Sequence, residues 1–248
     1  MTPTNLAARR GEPSYVWRAG QERRLQMIAR WAKLDNARIL EAGGGVGMYA
    51  TQFRRRYTAT VELFDIELER VRSAQAEVPH SIIAAAEQLP YPADYFDTIL
   101  SHEVLEHVDD DRAATREMAR VLKPGGRMVI FVPNRGYPFE THGHYWRGKY
   151  HFGNTPLINY LPNRWRNKLA PHVRVYTRRG LRALFDGLPV TIIHHERIYG
   201  GYDNIIARVG KPARLVRDFL YRLEGTPLDI WGLSHLLVVE KMVLAVGD

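Results

Sequence analysis

The segment Glu41-Ala42-Gly43-Gly44-Gly45-Val46-Gly47 combines residue types and spacing that imply chemistry. Glycines permit positive φ and let a ligand approach the backbone, and a following helix N-terminus offers unpaired N–H groups. Two cofactor classes use this device. Gly45-x-Gly47-x-x-Ala50 meets the dinucleotide pattern G-x-G-x-x-G/A, with Asp65 placed 20 residues beyond Gly45 as a ribose-binding acid. The alternative is E-x-G-x-G-x-G, in which Glu41, at a strand end, stands beside a ligand carrying an ammonium and a sulfonium.

Two further groups of side chains carry chemistry. In EVLEHV, Glu103, Glu106 and His107 fall at i, i+3 and i+4, which places them on one face if the segment is helical. They can hold a divalent ion, contact a substrate or act as a base, or the segment can simply pack through Val104, Leu105 and Val108. Farther along, GYPFETHGHYWRGKYHFGN supplies Glu140, His142, His144, Tyr145, Trp146, Tyr150 and His151. Such rings suit walls that grip a ring or sugar and exclude water, or a satellite core with Tyr160 and Trp165. His142 and His144 alternate in an extended stretch without an evident third ligand, so no metal is assigned. His107, His142 and His144 are the candidate bases, His107 first.

These groups need a scaffold, and the hydrophobic pattern provides one. Leu25, Ile28, Ala29 and Ala32 mark a helix over 18–33. Five strand-like runs follow at 37–42, 60–65, 81–84, 96–101 and 127–132, with helical patterns at 46–56, 67–77 and 110–122 between them. Several runs are continuously apolar, as strands covered on both faces are. LKPGG reads as a turn before the fifth. The order predicts an α/β, Rossmann-like doubly wound, mostly parallel seven-stranded sheet. An aromatic and His-rich insertion follows the fifth strand. A helix at 178–186, a strand at 190–195, a basic amphipathic helix near 213–223 and a strand around 235–244 complete it. The expected organisation is a single domain, 1–248: a helical arm (1–36), a cofactor-binding core (37–133), an insertion or lid (134–172) and the rest of the sheet (173–248).

Composition narrows the function classes. The 248 residues are 45% hydrophobic and 25% charged, ordinary globular values that exclude disorder. Without cysteine there is no disulfide framework or thiolate nucleophile. No apolar run approaches a membrane span or a leader, which points to a cytoplasmic protein. The formal charge is +8, yet residues 57–130 carry 14 acidic against 7 basic side chains, an acidic middle suited to a cationic cofactor. In the helix near 213–223, Leu215, Val216, Phe219, Leu220 and Leu223 share a face bordered by Arg214, Arg217 and Arg222. That face can cover the sheet, dimerise or lie on an anionic membrane, and packing is the expectation.

Taken in series, ILEAGGGVG, VELFDIE, AEQLPYPADYFDTILSHEVLEHV and MARVLKPGGRMVIFVPN resemble the class I S-adenosylmethionine (SAM) methyltransferases, in particular the ubiquinone/menaquinone-biosynthesis-like branch (methyltransferase type 11). The resemblance covers about residues 20–134, and HVRVYTRRGLRALF more loosely. It implies that Glu41, Gly43, Gly45 and Gly47 surround the methionine part of SAM and that Asp65 takes the ribose hydroxyls. Ile66 would lie against the adenine, Ala86, Glu87 and Gln88 would edge it, Ser101 would lie under the methionyl portion, and Tyr15 would close over the site. Many relatives place Asp before the AE of the third loop, where this chain has Ala85. In the ubiquinone O-methyltransferase branch, the spacing of Glu103, Glu106 and His107 is associated with a divalent ion.

Nucleobase amine methyltransferases carry an Asn/Asp-Pro-Pro-aromatic loop after the fourth strand, whereas this chain has Ser101-His102-Glu103-Val104; nucleic acid is not expected as a partner. The expected activity is methyl transfer to a small molecule, at an oxygen of a quinone, natural product, sugar or lipid. An NAD(P)-dependent oxidoreductase and a non-catalytic SAM-binding scaffold are the alternatives.

Overall fold

The computed structural model describes residues 16–243. In chain order it contains α1 (Ala19–Trp31), β1 (Ile39–Ala42), α2 (Met48–Arg56), β2 (Val61–Asp65), α3 (Leu68–Gln75), β3 (Ser81–Ile83), β4 (Phe96–His102), α4 (Asp111–Val121) and β5 (Leu122–Pro133). The sheet is completed by β10 (Val190–Ile198) and β11 (Ser234–Lys241), in the order β10-β11-β5-β4-β1-β2-β3. β1 to β5 run parallel, and β11 is antiparallel to both its neighbours. The seven-stranded doubly wound sheet read from the apolar runs is therefore present.

Two-sided burial explains why those runs are continuous. All four residues of β1 are buried, Ile39 against α1 and α2, and Leu40 in the cluster with α4 on the opposite face. Phe53, Leu63, Leu100 and Phe131 fill the first layer; Phe64, Phe96, Met118 and Leu237 fill the second. Local signals place the helix ends. The Asp110 carboxylate accepts the N–H groups of Arg112 and Ala113, both at 2.9 Å, and so caps α4.

Three expectations need correction, and the insertion gains detail. LKPGG belongs to β5, because Leu122 pairs with Phe96 before the register shifts. EVLEHV is not helical: Glu103 takes φ +56°, and a chain of turns carries Val104 to Asp109. The insertion, without period in sequence, is built of local pieces. β6 (Phe139–Glu140) pairs with β9 (Thr155–Pro156), and β7 (His144–Trp146) with β8 (Lys149–His151); α5 (Asn163–Leu169) follows. Their sides are too short for a hydrophobic period to show. Finally, α7 (Asp203–Val209) and α8 (Lys211–Tyr221) do not bury their apolar side chains: Leu215 is 72% exposed and Phe219 59%. Between the insertion and β10 stands the short α6 (Arg178–Arg182).

Candidate active site

Strand order reverses between β1 and β4, and the crevice outside their carboxyl ends is where doubly wound sheets bind ligands. A cavity of about 570 Å³ opens there, large enough for a nucleoside cofactor together with part of an acceptor.

One half is made of loop backbone. After β1 the chain turns through Gly43 and Gly45, at φ +60° and +57°, conformations that L side chains rarely adopt. A Cβ on Gly43 would lie 2.7 Å from a Val104 methyl, so the glycine loop and the EVLEHV turn are in contact. Glu41 Oε2 accepts the Ala50 N–H at 2.7 Å, tying the strand end to the first turn of α2. Burial pushes the Glu41 carboxyl up to about 8, against the backbone bonds from Ala50 and Tyr49 that favour its charge. Asp65 accepts the Gly45 N–H on one oxygen and the Glu67 N–H on the other, each at 2.9 Å. Each oxygen keeps a second lone pair for a hydroxyl donor.

Of the residues expected around the cofactor, Glu41, Gly43, Gly45, Asp65, Ile66, Ala86 and Glu87 line the crevice. Gly47, Gln88 and Ser101 are not among its lining. Gly47, at φ +79°, packs α2 on the sheet, since a Cβ there would approach Leu63 at 3.3 Å. Gln88 is exposed beyond the bend that its N–H makes to the Ala85 carbonyl. Ser101 is fully buried, its hydroxyl unpaired. Glu87 Oε1 accepts the N–H groups of Asp109 and Asp110, so it secures the loop after β4. Tyr15 lies outside the described residues.

The other half is made of side chains. His142 Nδ1 lies 3.1 Å from Glu140 Oε1, and Glu140 Oε2 accepts from Arg166 at 2.8 Å, a pair almost wholly buried. Burial opposes the charge on Glu140, but His142 and Arg166 hold its carboxyl below the usual range. His107 stands edge-on to His142, ring centroids 5.4 Å apart. Its Nδ1 is 3.3 Å from the His172 carbonyl, and burial, with His142 nearby, lowers its pKa to about 4. Glu106 has both carboxylate oxygens buried and unpaired; burial and the Glu103 charge raise its pKa well above the normal value. One ligand atom each from Glu106, His107 and His142 lies within 4.8 Å of the others. The structure thus replaces Glu103, in the trio expected from spacing, by His142 from the insertion. His144 is not part of this group: it bonds Thr155 Oγ1 at 3.0 Å and stacks on His151, away from the crevice lining.

Sequence reasoning missed Gln21, Arg24, His102 and Tyr137, which also line the cavity. Gln21 and Arg24 sit four residues before Leu25 and Ile28, polar positions in line with the apolar stripe of α1, and that was the available signal. Arg24 bonds His102 Nε2 at 2.5 Å, Glu103 Oε1 at 3.3 Å and Ser234 Oγ at 3.1 Å. Burial disfavours the Glu103 charge, yet Arg24 and His102 bring its pKa down to about 2. Burial, reinforced by Arg24, lowers that of His102 to about 3. A guanidinium placed there can also meet a ligand carboxylate.

A family model described as a methyltransferase domain matches residues 40–130. Methyltransferase GfsG of Streptomyces halstedii is 37% identical over 120 residues, which are 45% of this chain and 43% of that protein. The ubiquinone/menaquinone biosynthesis C-methyltransferase UbiE of Proteus mirabilis (strain HI4320) is 37% identical over 105 residues, 38% of this chain and 42% of its own. The alignments therefore span less than half the length of these curated relatives. Among solved structures, an S-adenosylmethionine-dependent methyltransferase from Mesorhizobium loti superposes with TM-score 0.64 at 20% identity, covering 90% of this chain and 98% of that one. The [4+2]-cyclase SpnF gives 0.62 at 18% identity, covering 94% and 84%. Residues 40–130 thus match a methyltransferase domain, and the sheet around them has the fold of a solved S-adenosylmethionine-dependent methyltransferase.

Proposed function

We propose that this chain transfers the methyl group of SAM to an oxygen of a small-molecule acceptor. The observation that carries the proposal is the Glu140–His142 pair, set in the same cavity as the glycine loop. Bound SAM supplies an electrophilic methyl on a sulfonium that departs as a neutral thioether. The chain's part is alignment, exclusion of water and removal of one proton. With Nδ1 bonded to Glu140, the His142 Nε2 is left to accept the acceptor's hydroxyl proton while the O–CH3 bond forms and the S–CH3 bond breaks. His107, held neutral by burial and oriented by the His172 carbonyl, offers a second nitrogen acceptor beside it. Arg166 keeps Glu140 charged and in place, so the imidazolium that forms is stabilised.

Relatives named for quinone biosynthesis and the ring-rich walls at Tyr137, Phe139 and His142 support a phenolic or other ring-bearing acceptor. The fold is shared with a protein named as a cyclase, so activity has to be measured directly. Incubation of the purified chain with methyl-labelled SAM and a panel of phenols, sugars and lipids, with the product's methyl position read by NMR, tests the reading. An O-linked methyl is expected. A carbon-linked methyl rejects oxygen as the target, and SAM binding without turnover on any acceptor rejects catalysis.

The unpaired Glu106 carboxylate favours a second reading. With His107 and His142 it fits a divalent ion, because a protonated, unpaired buried acid is costly and a metal would satisfy both its oxygens. Such an ion would polarise the acceptor oxygen. A rise in Tm with Zn²⁺ or Mg²⁺ that is lost in Glu106→Gln supports this reading; an unchanged Tm rejects it.

A further inference from the structure

The consecutive helices α7 and α8 gather five exposed aliphatic and aromatic side chains within fifteen residues. Neither helix contains a buried residue. Ile205 and Val209, one turn apart on α7, are each 54% exposed. On α8, Val216 and Phe219 are 59% exposed and Leu215 72%. At roughly 100° per residue, those three lie in one sector of α8, and Lys211, Arg214 and Arg222 fall along one flank of it. Between Arg208 and Arg222 five cations meet a single carboxylate, Asp218, and Arg217 engages that at 2.7 Å.

An occupant of this face must be both apolar and anionic. A second copy of the chain would bring cations against cations. A nucleic acid has the charge but no apolar layer for Leu215 and Phe219. A bilayer with acidic headgroups provides both, and an apolar sector flanked by Lys and Arg is how interfacial helices are composed. The pair is held in a defined place. The Gly20 N–H donates to Asp203 Oδ2 at 3.0 Å, and Arg18 donates to Asn204 Oδ1 at 3.0 Å. Arg23 covers the Tyr221 ring at 3.8 Å, and the Tyr202 hydroxyl contacts that of Tyr137. Gln21, Arg24 and Tyr137, beside these anchors, line the crevice.

We propose that α7–α8 docks on an anionic lipid bilayer, with Ile205, Val209, Leu215, Val216 and Phe219 entering the headgroup–acyl boundary and the crevice rim held against the surface. This does not depend on methyl transfer, and the two can fail separately. Flotation with vesicles of phosphatidylcholine alone and of equal parts phosphatidylcholine and phosphatidylglycerol tests it. Binding is expected to the mixed vesicles only, and to weaken with salt. The double variant Leu215→Ser/Phe219→Ser should bind about tenfold more weakly or worse, and Arg214→Gln about fivefold more weakly, each with Tm unchanged since these side chains are exposed. Three results overturn the proposal: no binding to mixed vesicles, undiminished binding by the double variant, or a wild-type dimer that the double variant makes monomeric without any vesicle binding.

Discussion

The two halves of the crevice are built on different principles. On the cofactor side, polar groups are satisfied by nearby backbone: Glu41 by Ala50, Asp65 by Gly45 and Glu67. On the acceptor side, groups distant in sequence converge, as His107 does with the carbonyl of His172 and Arg24 with Ser234, and several remain unpaired. Both oxygens of Glu106 and Nδ1 of His172 have no partner. A half that is already satisfied is rigid and preorganised for one ligand. A half with unpaired buried groups is incomplete until its ligand arrives, because such groups cost free energy until they are met.

The largest effect should separate the halves. His142→Ala removes the proposed proton acceptor and is expected to lower kcat by about 10²- to 10⁴-fold while leaving SAM affinity within error, read by calorimetric titration. Loss of SAM affinity in step with kcat would break the distinction, since the acceptor side would then be holding the cofactor.

Glu41 gives the next effect, through pH. Burial holds its folded pKa near 8, above the ordinary value of 4.5. The folded state therefore binds that proton more tightly than the unfolded chain, and the contribution is full below about 4.5 and lost as pH rises through 8. The loss is on the order of a few kcal/mol. The SAM ammonium favours the carboxylate, so affinity should increase from pH 5 to 7 with release of a proton, detectable by titration in buffers of different ionisation enthalpy. Glu41→Gln should abolish both dependences.

A smaller loss is expected at Asp65. Asp65→Ala removes charge-assisted bonds to the ribose hydroxyls, about 1.5 to 3 kcal/mol of SAM affinity. Asp65→Asn should recover part of it, because the amide oxygen still accepts from the Gly45 N–H. Equal affinity in Asp65→Ala and wild type would remove Asp65 from the ribose site.

How much was legible in the sequence follows the same division. Contacts within 20 residues of the glycine loop left a readable spacing, and the continuous apolar runs revealed the parallel sheet because both of its faces are covered. The acceptor side left less. Helical spacing singled out Glu103 with Glu106 and His107, but a positive φ at Glu103 breaks that face, and the chain pairs Glu103 with Arg24 instead. Nothing local marks Glu140 as the partner of His142 or Arg166 as its anchor, since two-residue strands carry no period. The exposed face of α8 was visible as amphipathic, but periodicity cannot tell whether protein covers such a face.

The smallest expected effect is a gain, at the one place where the satisfied half is short of a group. Ala85 lines the cavity between Ala84 and Ala86, at the position where the resemblance noted in the sequence implies an Asp. The acid that follows, Glu87, already has one oxygen committed to the N–H groups of Asp109 and Asp110, so it cannot turn wholly towards an adenine amino group without loosening that loop. Ala85→Asp would add a free carboxylate to accept that amino proton, a charge-assisted bond of about 1.5 to 3 kcal/mol in gross terms. Against it stand the negative charges of Glu87 and Asp109 along the same wall and the desolvation of the new carboxylate. A net gain of about 0.5 to 1 kcal/mol remains, which is roughly a two- to fivefold tighter SAM complex. Salt should enlarge the gain by screening the acidic neighbours. The same substitution tested with a cofactor analogue lacking the adenine amino group should give no gain, and a gain of equal size there would mean that the carboxylate acts on the cofactor's positive charge and not on its base.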